Sequence, residues 1–316
     1  MEDRQAPRGD AATVPESAEG RATQEYGARA PENVGSRVRA GQPIGERYIA
    51  IRPLGEGGMG SVWEVEHREL GRRFALKLLR DPAVTTEAGL ARFHREARSA
   101  GAIDHPNVVR VVDYDLDPNL GPFLVMELLL GESLAEVMRD GERIPLPAAL
   151  EWLVPVASAL DALHERGLVH RDVKPENVVR VLGRAVPTVK LVDFGLAAHV
   201  DGRDRITRQG MLVGTPHYMA PEVAEGEVAS ARSDVYSLAV LAYELLTGKP
   251  PHDGESPMEL FSAKLTIAAP SLSERTGRLF AVPLELAFQE ALDRDPERRP
   301  ARASDFVRRL ARGIRR

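Results

Sequence analysis

The chain has 316 residues, a formal charge of −5, a sequence pI of about 6.0 and no cysteine. That balance gives no sign of nucleic-acid binding, and the missing cysteines exclude a disulfide framework and thiolate metal sites, so a soluble protein of the reducing cytoplasm is expected. The most apolar stretches, 123–130 and 236–246, each carry a glutamate and fall well short of the roughly 20 residues that span a bilayer, so no membrane span is expected.

Residues 1–45 hold one aromatic, Tyr26, and few large aliphatics among mixed charges, Ala, Gly and Pro. Such a stretch buries too little apolar surface to offset chain entropy and reads as a solvated, disordered tail, with Thr13, Ser17, Thr23 and Ser36 open to phosphorylation. From Tyr48 the pattern changes to short β-branched and aromatic runs separated by turns: 48–54, 61–67 and 73–79. A helical period over 87–101 carries Phe93, Glu96 and Ala100, and two further strands follow at 108–115 and 123–127. The expectation is a small lobe of five antiparallel strands and one helix. Beyond Gly131 the pattern is mainly helical, over 134–139, 147–166, 233–247, 257–265, 283–292 and 303–311. Pro147 suits a helix start, whereas Pro155 falls inside the long helix, where it would kink or be locally accommodated.

Several groups of residues carry chemistry. In Gly55-Glu56-Gly57-Gly58-Met59-Gly60-Ser61-Val62 the glycines let the backbone turn sharply and bring N–H groups against phosphate oxygens. A dinucleotide-binding loop would open a helix here, but Ser61 to Val65 continues as a strand, which rejects that reading. Lys77 is a lone charge in the apolar strand Phe74-Ala75-Leu76-Lys77-Leu78-Leu79 and needs an anionic partner unless the strand is an exposed edge. The run His170-Arg171-Asp172-Val173-Lys174-Pro175-Glu176-Asn177, with Asp193-Phe194-Gly195 after a second apolar strand, supplies a base, a phosphate-directed cation and two hard oxygen ligands. Downstream lie Gly214-Thr215-Pro216 and Ala220-Pro221-Glu222.

In this order the motifs resemble those of the eukaryotic-like (Hanks-type) bacterial serine/threonine protein kinases, from near Arg47 to near Leu310. The resemblance implies the α+β bilobal kinase fold: a kinase domain over 46–312, with small lobe 46–127, hinge 127–131 and large lobe 132–312, and a basic end at 313–316. It also implies ATP and Mg2+ (with Mn2+ as an alternative) as cofactors and transfer of the γ-phosphate to Ser/Thr hydroxyls of protein substrates. Asp172 would be the base, Lys174 would reach the transferred phosphate, Lys77 would hold the α/β-phosphates with Glu96 as its partner, and Asn177 and Asp193 would bind metal. Leu54, the loop residues 55–62, Ala75, Met126, Glu127, Leu129 and Val179 would enclose ATP, with Met126 as gatekeeper and the backbone of Glu127 and Leu129 reading adenine. Thr215 would shape the hydroxyl pocket, Glu222 would pair with Arg299, and Asp234 would accept N–H groups from the catalytic loop.

By the same resemblance Thr207 is the activation-loop phosphosite, answered by Arg171 and by Arg92 one helical turn before Glu96, although Gln209 stands where a second threonine is common. A homodimer through the small lobe is a further implication. A scaffold that binds nucleotide without catalysis is the rival function, and it usually lacks the equivalents of Lys77, Asp172 or Asp193, all retained here. A tail that recruits a phosphopeptide-recognition domain would add to catalysis.

Overall fold

Alternating apolar positions after Tyr48 do assemble into a sheet. The computed structural model describes residues 38–57, 60–79, 84, 86–139, 141–182, 188–193 and 216–313. Strands β1 (Pro43–Ile44), β2 (Tyr48–Gly57), β3 (Gly60–His67), β4 (Arg73–Leu79), β5 (Val111–Asp117) and β6 (Gly121–Glu127) pair antiparallel in the order β1-β2-β3-β4-β6-β5. The sixth strand is the difference from expectation. Pro43 and Ile44 pair with Ile49 and Tyr48, and Ile44 and Val38 are buried, so the folded lobe begins ahead of residue 46. Two residues are too few to show alternation, which is why a polar surrounding sequence hides them.

Within β4 the period of two sends Leu76 and Leu78 into one core, with Tyr48, Trp63 and Phe123, while Ala75 and Leu79 enter the other. Helix α1 (Glu87–Gly101) covers that second face. Its start is capped by Thr86, whose hydroxyl accepts the Gly89 N–H at 3.0 Å, and its buried side is Phe93, Glu96, Ala97 and Ala100. Lys77 shares a strand face with Ala75 and Leu79.

The large lobe is built on α3 (Leu146–His164) and α5 (Ala231–Thr247), with α6 (Pro257–Thr266), α8 (Val282–Ala291) and α9 (Ala303–Arg312) around them. Helix α5 is buried on nearly every side, as a helix at the centre of a lobe must be. A second sheet of β7 (Gly131–Ser133), β8 (Val178–Val181) and β9 (Thr188–Leu191) lines the cleft. Gly131 is required where the chain crosses from one lobe to the other, because a Cβ there would overlap the Arg180 carbonyl. The short helices α2 (Leu134–Val137), α4 (Pro221–Ala224) and α7 (Leu272–Thr276) complete the lobe, and α4 and α7 have too few residues for a sequence period to reveal.

Among the described residues one helix, α3, is long and apolar enough to cross a membrane by length and composition, although sequence reading singled out other stretches. Half of its most apolar window is buried, and it packs on α5, α9 and β9, as a core helix does. Pro155 is accommodated inside it.

The lobe's buried ion pair joins α4 to the turn before α9. Arg299 Nη1 and Nη2 donate to the two oxygens of Glu222 at 2.8 and 2.7 Å. The remaining guanidinium N–H groups reach the carbonyls of Asp293, Arg232 and Arg294, and the Ser233 hydroxyl donates to Glu222. Every donor of the fork is therefore used, the condition under which a buried pair is tolerated. Burial acts to raise the Glu222 carboxyl, but the Arg299 hydrogen bonds and charge and the Ser233 hydroxyl outweigh it and hold the group below the usual carboxylate range. The pair's contribution is thus present above the ordinary glutamate value, about 4.3, and is lost as pH falls through the lower folded value. Urea denaturation at pH 7 should show Arg299→Met destabilised by about 3 to 5 kcal/mol, and Glu222→Gln/Arg299→Met recovering part of the loss.

Candidate active site

After α3 the chain runs through residues 168–173 without helix or strand, then enters a short 3-10 turn, Pro175–Asn177, that leads into β8. Irregular backbone in a lobe interior must find partners for its N–H groups. Asp234 of α5, itself 1% exposed, supplies them. Its Oδ2 accepts the His170 N–H at 2.8 Å and the His164 ring Nε2–H at 2.7 Å, and its Oδ1 accepts the Arg171 N–H at 2.8 Å. Arg171 is held at φ 67°, an uncommon conformation for a residue with a side chain. The expected role of Asp234 as acceptor for this loop is the observed one.

His170 is completely buried, and burial pushes its imidazole below the ordinary value despite the nearby Asp234 and Asp172 carboxylates. The neutral ring donates Nε2–H to the Val192 carbonyl at 3.0 Å and accepts the Asp172 N–H at Nδ1, 3.3 Å away. One side chain thereby ties Asp172 to the residue preceding Asp193.

The Asp172 carboxylate lies 2.8 Å from Lys174 Nζ and accepts Asn177 Nδ2 at 3.0 Å. Asn177 Nδ2 also donates to the Asp172 carbonyl at 2.7 Å. Both amide N–H groups of Asn177 are thus spent on Asp172, which leaves its Oδ1 as the atom available to a cation. Val192 donates its N–H to the Asn177 carbonyl at 2.9 Å, so the two oxygen donors Asn177 and Asp193 stand on hydrogen-bonded neighbours. Asp193 has φ 59°, and its Oδ1 lies 3.1 Å from Lys77 Nζ.

The sheet brings the nucleotide-binding candidates into register. Gly55 pairs with Val62 and Val62 with Lys77, while Ala75 pairs with Met126. Glu56 pairs with Ser61 and Gly57 with Gly60 in the same hairpin. Gly60 has φ 147°, and a Cβ there would overlap the Leu78 carbonyl, so this position requires glycine. Leu54, Ala75, Met126, Leu129 and Val179 are buried, and Glu127 ends β6. Gly58, Met59, Thr207 and Thr215 lie outside the described residues.

Lys77 also meets a carboxylate that sequence reading did not assign to it: the turn at Asp193 brings that side chain to β4, while Glu96 sits on the buried face of α1.

This arrangement coincides with a match to the protein kinase domain model over residues 48–310. The chain belongs to the protein kinase family. Domains of this family use ATP with a divalent metal ion. Among its relatives, serine/threonine-protein kinase pkn2 of Myxococcus xanthus is 39% identical over 84% of this chain and 32% of its own length. PknF of Mycobacterium tuberculosis is 38% identical over 83% of this chain and 55% of its own. The chain thus spans from a third to just over half the length of these relatives. The crystal structure of the Mycobacterium tuberculosis PknI kinase domain superposes with a TM-score of 0.69 and 28% identity, covering 87% of this chain and 99% of that one.

Sequence reading overlooked Lys190 of this kinase domain. It is buried in β9, donates to the Val108 carbonyl at 3.1 Å and pairs at 2.7 Å with Glu127, whose carboxylate also accepts the Arg110 N–H. The signal was the one used for Lys77, a lone charge in an apolar strand. The Lys190 pair fixes the end of β6 against the strand that leads to Asp193.

Replacing Asp234 by Asn substitutes an N–H donor for one of the two acceptor oxygens that hold His170 and Arg171. Displacement of Asp172 should lower kcat by about 10- to 100-fold while circular dichroism shows a folded chain, since misplacement by about 1 Å costs that much. Steady-state kinetics of Asp234→Asn will measure it.

Proposed function

We propose that this kinase is an active Mg2+-ATP-dependent protein serine/threonine kinase of the cytoplasm. One observation carries the reading: Asp172, Lys174 and Asn177 are mutually hydrogen-bonded on one loop, and that loop is joined through Val192 to Asp193 and Lys77. Phosphoryl transfer asks little covalent chemistry of the protein and much positioning, which such a linked set supplies.

Asp172 orients the substrate hydroxyl and takes its proton. Lys174, already within 2.8 Å of Asp172, faces the same reacting oxygen and offsets charge on the transferred phosphoryl group. Lys77 contributes a second cation, for the remaining phosphates. The donor set of Asn177 and Asp193 fits a hard divalent ion that keeps water and phosphate oxygens as its other ligands, and among the described residues no cluster of three or more His, Cys, Asp and Glu competes with it. When bound, such an ion neutralises charge between the phosphates. This all-oxygen set suits Mg2+ and admits Mn2+ as the alternative. Leu54, Gly55, Glu56, Gly57, Gly60, Ser61, Val62, Ala75, Met126, Glu127, Leu129 and Val179 would enclose the nucleotide, with Gly58 and Met59 assigned from sequence alone.

The choice of serine and threonine rests on Lys174 and Thr215 and on the names of the relatives. Thr207 is the proposed regulatory phosphosite, again from sequence. Intact mass of phosphatase-treated protein should rise by whole phosphates on incubation with Mg2+-ATP, and should stay constant for Asp172→Asn and Asp193→Ala. Wild type that binds nucleotide without gaining mass or phosphorylating added protein would support the scaffold function instead. If autophosphorylation is the switch, Thr207→Ala started from the stripped state should lack the lag and later acceleration of the wild type and stay at the initial slow rate.

A further inference from the structure

Lys264 lies on the buried face of α6 with Leu260 and Phe261, and is 1% exposed. Among the described residues no carboxylate pairs with it. Its Nζ instead meets three main-chain oxygens, those of Pro216 at 2.7 Å, His217 at 2.6 Å and Met219 at 2.7 Å. The fourth carbonyl of this stretch, that of Tyr218, accepts the Ser237 hydroxyl from α5 at 2.7 Å. Four consecutive carbonyls outside any helix or strand are therefore all held by side chains of the helices beneath.

A neutral amine offers two N–H groups and a lone pair, so one of three facing carbonyls would meet that lone pair. Three short contacts require the ammonium form. Burial pushes the group down to about 7, and the three carbonyls oppose that shift by accepting from the charged form. The Tyr236 ring centroid is 5.7 Å away, and the charge of Lys264 helps burial to lower the His217 and His252 imidazoles. An ammonium kept buried at this cost, with no anion paired to it among the described residues, implies that the shape of the segment is what matters.

We propose that Lys264, assisted by Ser237, is a positioning residue that fixes the Pro216–Met219 backbone as the surface on which the protein substrate docks. The proposal rests on the kinase reading above, in which Thr215 shapes the pocket for the substrate hydroxyl; the Pro216–Met219 segment follows it directly in the chain and so lies where the rest of the substrate polypeptide must pass. Neither side chain touches ATP or the transferred phosphoryl group. Each acts by setting where the polypeptide substrate lies relative to Asp172, so its loss should appear in the constant for protein substrate and not in that for nucleotide.

The test is steady-state phosphorylation of dephosphorylated casein by the full chain and by Lys264→Met, which keeps the length and removes the donors. The expected result is a rise of about 10-fold or more in the KM for casein, with the KM for ATP within twofold of wild type. Ser237→Ala, a milder change that frees the Tyr218 carbonyl, should raise the casein KM about two- to fivefold, again without moving the ATP constant, and gives the answer if Lys264→Met does not fold. A casein KM within error of wild type in folded Lys264→Met overturns the proposal. So does an unchanged casein KM in Ser237→Ala, or equal shifts in both constants. Wild-type protein that transfers no phosphate to casein or to itself would refute the kinase reading, a result separate from either.

Discussion

The cleft depends on one buried carboxylate. Asp234 sits on a helix buried on nearly every side and accepts two N–H groups, those of His170 and Arg171, from a stretch that has no secondary structure of its own, together with the ring N–H of His164 at the end of α3. Without it the His170 and Arg171 amides would lose the carboxylate that accepts them, and the strained turn at Arg171, which costs about 1 to 3 kcal/mol, would lose a hydrogen bond that offsets it. The geometry of Asp172 is therefore set from below, by α5, through backbone. Its side chain remains free to hold Lys174 and Asn177.

Three lysines placed in apolar surroundings show how the same problem is solved in three ways. Lys77 meets the carboxylate of Asp193; Lys190 meets the carboxylate of Glu127 and a carbonyl; Lys264 meets carbonyls alone. The chemistry of the partner tracks what each site must do. A pair such as Lys77 and Asp193, partly open to solvent, can rearrange at little cost. The pair at Lys190 is more deeply placed and joins two strands permanently. A cation held by backbone dipoles fixes a polypeptide path without introducing a competing anion, which suits a segment expected to meet another protein chain.

Much of this was legible in the sequence because the determining residues carry local signals. Strand β4 and helix α1 begin and end at the residues read from their periods, and the Glu222–Arg299 pair and the acceptor role of Asp234 followed from motifs separated by many residues. What escaped was set by distant packing. Strand β1 is two residues long and is recognisable only once Ile44 has Tyr48 to pair with. Helices α4 and α7 are single turns, below the length at which periodicity speaks. The contact between Lys77 and Asp193 depends on the backbone turn at Asp193, which no pattern of side chains announces. Lys264 falls within an amphipathic stripe as though it were apolar, and only the converging carbonyls explain it.

The ties between the lobes converge on β9. Leu191 exchanges backbone hydrogen bonds with Asn107 and Val109, the Asn107 side chain reaches the Val189 carbonyl, and Lys190 holds both Val108 and Glu127. Two residues beyond the strand stands Asp193, in contact with Lys77 of the upper sheet. Any rotation of one lobe against the other must therefore pivot near this strand, and Asp193 lies close to the pivot, where displacement is least. Lys77, on β4 in the middle of the upper sheet, moves with the small lobe. The ammonium has three donors and the 3.1 Å contact uses one, so contact with Asp193 is compatible with further partners on α1 or on phosphate. Closure can then change what Lys77 touches while the oxygen donors Asn177 and Asp193, joined through Val192, keep their spacing.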